Sequence, residues 1–289
     1  MFPDFLGIGA QKAGTTWLHH NLARHPQIWM PPTKELHYFD HDPPSLRRRL
    51  FAKPAHLATA RRHLREQIVR TLRGAPDRDL GWALRYCLGR RCDAWYAGLF
   101  PEEGGKKRGE ICPGYARLSA EQVGRVHALM PRARIVYLLR NPLERSWSAV
   151  AMRFRKPRFG GDVAAASEER LRAFMLGPKV ARHGDYLANL AAWRSHYPEE
   201  QIFIGFFDRL REDPRAFLRE ILEFLEVDSS EEVIPRDVEE RRNPGRDERP
   251  PEHLLRLLAR HHHEQIRALH AHFANPWTER WLAEAERYL

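Results

Sequence analysis

Apolar residues along this chain come in short runs that alternate with longer stretches of helical spacing. Phe5-Leu6-Gly7-Ile8-Gly9 is a brief apolar run ending in small residues, and Thr15 to Arg24 then carries Trp17, Leu18 and Leu22 at helical intervals. The pattern predicts a strand, a turn and a helix. Arg134-Ile135-Val136-Tyr137-Leu138-Leu139 is almost wholly apolar, as expected of a parallel strand covered by helices on both faces. Behind it Asn141 is a good N-cap and Pro142 suits the first helical position, so a helix is predicted from Leu143 through Ser148 and Ala149. Tyr186 to Tyr197 reads as a helix and Gln201 to Phe206 as a strand. Asp213-Pro214 then opens a helix through Phe217, Leu218, Ile221 and Leu225. Gly109-Glu110-Ile111 is a weaker strand candidate, and two helices close the chain near Glu252 to Phe273 and Pro276 to Arg287. Alternation of this kind predicts an α/β sandwich, a parallel sheet of about five strands flanked by helices.

Between about residues 45 and 100 the chain is rich in Arg, Leu and Ala without a strand pattern, which predicts a helical insertion within a single domain spanning 1–289. Arg155 to Asp162 and Arg241 to Pro251 carry glycines and prolines and are expected to be mobile. A chain of 289 residues, 43% hydrophobic and 30% charged, has the composition of a soluble globular protein with a sizeable core, which excludes disordered and collagen-like classes. The 48 Lys and Arg against 38 Asp and Glu give a formal charge of +10. That excess points to an anionic partner, and charge alone does not choose among nucleic acid, a membrane surface and a small phosphate- or sulfate-bearing ligand. Cys87, Cys92 and Cys112 are too few for a disulfide framework, fit no familiar zinc spacing, and are read as free thiols. Neither a secretion signal nor a bilayer-spanning run is visible, so the expected location is the cytoplasm.

The turn after the first strand, Gly9-Ala10-Gln11-Lys12-Ala13-Gly14-Thr15-Thr16-Trp17, delivers small residues and one lysine to the start of a helix. Unpaired backbone N–H groups, the helix dipole, Lys12 and the hydroxyls of Thr15 and Thr16 make such a turn fit for an anion. The same residues also fit an ordinary βα turn with a solvated lysine. A Walker A loop needs Gly, four residues, then Gly-Lys-Ser/Thr; here the lysine precedes Gly14 by two, which demotes a P-loop nucleotide kinase to the alternative reading. Arg140 stands just past the second strand, at the edge where parallel α/β sheets collect ligands, with Ser148 about two helical turns further on. A guanidinium and a hydroxyl there suit a second phosphate, while pairing of Arg140 with Glu144 is the plain alternative.

Together these segments resemble the sulfotransferases that use 3′-phosphoadenosine 5′-phosphosulfate (PAPS), nearest in motif to the glycosaminoglycan (heparan sulfate) type. Gln11-Lys12-Ala13-Gly14-Thr15-Thr16-Trp17-Leu18 is similar to that family's 5′-phosphosulfate loop. Arg140-Asn141-Pro142-Leu143-Glu144-Arg145-Ser146-Trp147-Ser148 resembles its 3′-phosphate motif, in which the arginine and final serine hold the phosphate. Pro31 to Asp40, Gly109 to Tyr115, the Tyr186 to Trp193 helix and Asn243-Pro244-Gly245-Arg246 follow in the family's order, so the resemblance spans nearly the whole chain.

The resemblance implies PAPS as co-substrate without a metal, Lys12 stabilising the leaving phosphate, and a general base in Thr33-Lys34-Glu35-Leu36-His37-Tyr38-Phe39-Asp40. That segment resembles a family Glu-x-His-Phe-Phe stretch whose glutamate is the base, which assigns the role to Glu35 with His37 as the reserve. In an extended segment the two side chains share a face while Leu36 packs behind. Trp17 is either an adenine contact or a core residue of its helix. Gly245 and Arg246 match a loop that closes over the 3′-phosphate and adenine. The family's lysine within the stretch matched by Glu110-Ile111-Cys112-Pro113 is Ile111 here. Either Lys34 substitutes for it, or the acceptor is not an anionic sugar polymer. Expected partners are a carbohydrate or small-molecule acceptor, with no nucleic acid and no membrane span. A catalytically silent nucleotide-binding relative remains a further alternative. His261-His262-His263 is expected to be a solvated helix face, and the clusters Arg47-Arg48-Arg49 and Arg61-Arg62 ordinary helix surface.

Overall fold

A computed structural model describes residues 1–40, 80–156, 159, 161–163, 166–240 and 250–289. Its centre is a sheet of five parallel strands in the order β2-β3-β1-β4-β5. These are β1 (Phe5–Gly9), β2 (Ile28–Trp29), β3 (Lys107–Ile111), β4 (Arg134–Leu139) and β5 (Ile202–Phe206). The predicted fold class is therefore the observed one. The two-residue β2 escaped the sequence reading because so short a run has no periodicity to detect.

Central β1 is buried along its whole length, with Phe5 opposite Gly109 of β3 on one side and Arg134 of β4 on the other. Gly109 allows that fit, since a Cβ there would stand 1.9 Å from the Phe5 ring. Strand order decides where a ligand can sit. The chain leaves β1 toward β2 and β3 on one side and leaves β4 toward β5 on the other, so the loops at the carboxyl ends of β1 and β4 diverge and open a crevice.

Helices α1 (Thr15–Leu22), α2 (Leu80–Leu88), α3 (Asp93–Ala97), α4 (Ala120–Leu129), α5 (Pro142–Phe154), α6 (Glu168–Met175), α7 (Pro178–Gly184), α8 (Tyr186–Arg194), α9 (Phe207–Glu212), α10 (Pro214–Phe224), α11 (Glu252–Phe273) and α12 (Pro276–Arg287) flank the sheet. The caps read from the sequence hold: Asn141 Oδ1 accepts the Leu143 N–H at 3.0 Å, and Asp213 Oδ1 that of Ala216 at 2.9 Å. Helices α2 and α3 lie in the last part of the stretch expected to be a helical insertion. Residues 41–79, with Arg47 to Arg49, Arg61 and Arg62, lie outside the described residues, as do parts of the two stretches expected to be mobile.

The histidine triplet corrects one expectation. His262 is buried in α11, its Nε2 2.9 Å from Ser146 Oγ, and burial pulls its pKa down to about 4. Helix α11 packs on α5, and successive helical residues diverge by about 100°, so one of three consecutive histidines has to face inward.

Candidate functional site

The turn from β1 into α1 reverses through two left-handed residues, Lys12 at φ 75° and Gly14 at φ 88°. Gly14 stands at the N-cap with no side chain to cap the helix, so the first amides of α1 keep their outward donors. Gln11, Lys12 and Thr16 are half-buried, whereas Ala13 and Thr15 are buried. Burial lowers the Lys12 pKa, and the neighbouring charges that add to this, Arg140, Arg155 and Lys34, are all cations. A lysine held among like charges is poised for an anion.

Arg140 leaves the end of β4 and donates from Nη1 to the Lys12 carbonyl oxygen at 3.0 Å, so the two turns share one rim of the sheet. Its Nε and Nη2 also reach Glu144 Oε2 at 2.9 and 2.8 Å, the pairing the sequence held open. The guanidinium lies 4.5 Å from the centre of the Phe207 ring, and Arg211 approaches the same ring at 4.7 Å. The Tyr186 hydroxyl donates to the Arg140 carbonyl oxygen at 2.7 Å and steadies the turn. Ser148 is half-buried in α5. Arg155 caps the far end of α5, its Nε buried without a hydrogen-bond partner.

Trp17, 5% exposed, donates its indole N–H to the Val238 carbonyl oxygen at 2.7 Å and stacks on Phe217 at 6.0 Å. The ring thus packs in the core and ties α1 to the segment that leads toward Gly245 and Arg246. Those two residues lie outside the described residues.

The loop carrying Glu35 corrects a second expectation. It is not extended: Glu35 and His37 sit at φ 64° and 54°, left-handed values uncommon outside glycine. The two side chains meet nonetheless, His37 Nε2 lying 3.5 Å from Glu35 Oε2 while Leu36 is 1% exposed. Fixed partners hold this backbone. The Leu36 N–H donates to Glu110 Oε1 at 2.9 Å and the Tyr38 N–H to the Tyr115 hydroxyl at 2.9 Å, while Arg91 Nη2 donates to the carbonyl oxygens of Leu36 and His37 at 2.6 and 2.9 Å. A buried loop without ladder partners needs such groups to satisfy its amides. Strained positions persist where surroundings over-determine them, as at functional sites.

Charge within the loop is strongly coupled. His37 Nδ1 lies 2.8 Å from Asp40 Oδ2 and 3.5 Å from Cys112 Sγ. Burial works against its charged form, but the bonds to Asp40, Cys112 and Glu35 outweigh it and push the pKa up to about 12, so the ring is an imidazolium. Burial raises the Glu35 pKa, yet His37 and Lys34 together bring it below the usual carboxylate value. Lys34 Nζ lies 3.2 and 3.3 Å from Thr15 and Thr16 Oγ1 and 3.4 Å from Glu35 Oε1, tying this loop to the first turn of α1.

Beneath the loop, Glu110 is 1% exposed and receives the hydroxyls of Tyr96 at 2.5 Å and Tyr115 at 3.1 Å; burial lifts its pKa to about 7. Ile111 is buried against β1, where a Cβ on Gly7 would meet its Cδ1 at 2.3 Å, so no cation comes from that position. His37, Asp40 and Cys112 offer ligand atoms within 4.8 Å of one another. Sequence reasoning had missed that meeting, along with the roles of Glu110, Arg91 and Arg155. The available signal was a glutamate placed within the strand candidate Gly109-Glu110-Ile111, because a charge in a central strand needs a reason.

A profile described as "Sulfotransferase family" matches residues 3–232. The human bifunctional heparan sulfate N-deacetylase/N-sulfotransferase 2 is 24% identical over 243 residues, 78% of this chain and 22% of that protein. The mouse heparan sulfate glucosamine 3-O-sulfotransferase 6 is 28% identical over 226 residues, covering 78% of this chain and 52% of the relative. The chain thus spans about a fifth of the first relative and about half of the second. Among solved structures, a sulfotransferase from Alicyclobacillus acidocaldarius superposes with a TM-score of 0.66 at 23% identity, covering 97% of this chain and 99% of that one. The sulfotransferase domain of the curacin biosynthetic pathway gives 0.55 at 18% identity, covering 81% and 77%. With a family profile matched over most of its length and a parallel sheet that brings the Lys12 and Arg140 turns to one rim, the chain belongs to the sulfotransferase family.

Proposed function

We propose that the chain transfers a sulfuryl group from PAPS to a hydroxyl or amine of a carbohydrate or small metabolite. The observation that carries this reading is the hydrogen bond from Arg140 to the Lys12 carbonyl, since one nucleotide bearing phosphates at both its 3′ and 5′ ends needs both anchors on a continuous rim. The donor supplies an activated sulfuryl group on a 5′-phosphate. Lys12 and the first amides of α1 bind the 5′ end and stabilise charge that grows on the leaving phosphate. Arg140 and Ser148 hold the 3′-phosphate, and the resemblance assigns Gly245 and Arg246 to the same nucleotide. Trp17 serves the nucleotide by fixing the segment that leads to those residues.

Glu35 takes the acceptor's proton. Its low pKa keeps it ionised at neutral pH, whereas an imidazolium at His37 has no free lone pair for a proton. His37 instead orients Glu35, and Asp40 orients His37. The heparan sulfate relatives favour a carbohydrate acceptor. No helix among the described residues is long and apolar enough to cross a membrane.

The test is ligand-induced thermal stabilisation followed by an acceptor screen with labelled donor. The desulfated product 3′-phosphoadenosine 5′-phosphate (PAP) is expected to raise the melting temperature where ATP does little. Equal stabilisation by ATP would favour a kinase, and stabilisation by PAP without transfer to any acceptor would favour a silent relative.

A further inference from the structure

Lys34 belongs to neither phosphate motif, yet its ammonium touches both halves of the site. It lies 3.2 Å from Thr15 Oγ1 and 3.3 Å from Thr16 Oγ1 on one side, and 3.4 Å from Glu35 Oε1 on the other. We infer that Lys34 is a catalytic residue that contacts the sulfuryl group in transit, balancing the Glu35 carboxylate before transfer and the departing phosphate during it. The inference rests on the reading given under Proposed function.

Three observations support it. The transferred group has to cross from the α1 cradle to an acceptor beside Glu35, and Lys34 Nζ spans that interval. Its present partners on the cradle side are neutral hydroxyls at distances longer than the roughly 2.7–2.9 Å of charge-assisted bonds, so an anionic oxygen displaces them readily. Position 111, at the end of the neighbouring strand, is filled by an isoleucine packed on Gly7 and sends no cation to the site.

The chemistry asks for a cation placed this way. The bond from sulfur to the 5′-phosphate oxygen breaks and leaves its electron pair on that phosphate. A bond from the acceptor oxygen or nitrogen to sulfur forms, and the acceptor's proton passes to Glu35. Negative charge therefore disappears from the carboxylate as it appears on the phosphate. An ammonium with three donors within reach of both ends follows that charge without a conformational change. Burial also holds the Lys34 pKa below its ordinary value, and Glu35 opposes that fall, as expected of a desolvated cation that depends on an anion.

Calorimetric titration with PAP and with PAPS, both without acceptor, is run beside turnover for wild type, Lys34→Met and Lys34→Arg. Lys34→Met is expected to weaken PAPS binding more than PAP binding and to lower kcat about 10²–10³-fold. Lys34→Arg keeps the charge on a different geometry and is expected to recover part of both properties, which separates lost charge from lost fold. Turnover at the wild-type rate in Lys34→Met, or equal loss of affinity for the two nucleotides, overturns the role of Lys34. A wild-type protein that binds neither nucleotide overturns instead the reading on which the inference rests.

Discussion

The buried carboxyl of Glu110 makes stability depend on pH in a direction opposite to that of most carboxylates. Burial raises its pKa from 4.5 to about 7 in the folded chain, against the opposing bonds from Tyr96, the Leu36 amide and Tyr115. Below about pH 4.5 the group is protonated whether the chain is folded or not. Between there and about pH 7 the unfolded chain loses the proton while the folded chain keeps it, so stability falls as pH rises. Above about pH 7 both states are ionised and the loss is complete. With about 1.4 kcal/mol per pKa unit, the loss amounts to about 3 kcal/mol. Glu110→Gln removes the titration. Its carbonyl oxygen can keep the Leu36 N–H, but its amide then faces two tyrosine hydroxyls that donate to the wild-type carboxyl, at a cost of about 1–2 kcal/mol that does not vary with pH. Urea unfolding of both proteins at intervals from pH 4 to 8 measures the difference. Wild type is expected to be the more stable at the acid end and the less stable at the alkaline end. His37 stays charged in the folded chain, so its contribution falls as the unfolded imidazole deprotonates above about pH 6.5, but this contribution, like those of the other histidines, is common to both proteins and cancels in the difference. A stability difference that stays level across the range refutes the argument.

Other substitutions test the site and its scaffold. Lys12→Ala and Glu35→Gln should each abolish transfer of labelled sulfate, while Glu35→Gln leaves PAP affinity by calorimetry largely intact; a glutamine variant with full turnover removes Glu35 from the base role. Arg140→Ala should weaken PAP about 10²-fold, the worth of one or two bonds to a charged group, and unaltered affinity would show that the 3′-phosphate sits elsewhere. Gly109→Ala places a methyl 1.9 Å from the Phe5 ring and should destabilise the chain by about 1–3 kcal/mol in denaturant unfolding, an outcome that wild-type stability would contradict.

Local pattern was enough for the elements. Apolar runs such as Arg134 to Leu139 and caps such as Asn141-Pro142 and Asp213-Pro214 depend on neighbours a few residues away, and they are written plainly along the chain. The Lys12 and Arg140 turns were legible for the same reason: each is a contiguous turn leading into a helix. What joined them was the strand order, which places β1 beside β4 although more than a hundred residues lie between, and which sets Arg140 against the Lys12 carbonyl. The shape of the Glu35 loop was likewise beyond the sequence. Its left-handed turns are held by Glu110, Tyr115 and Arg91, all far along the chain, so no local propensity could foretell them. Residue types and spacing determined which chemistry was available; burial and the tertiary placing of charges decided that His37, set among Asp40, Glu35 and Cys112, is a cation, that Glu110 is a near-neutral acid, and that Lys34 reaches both the first turn of α1 and Glu35.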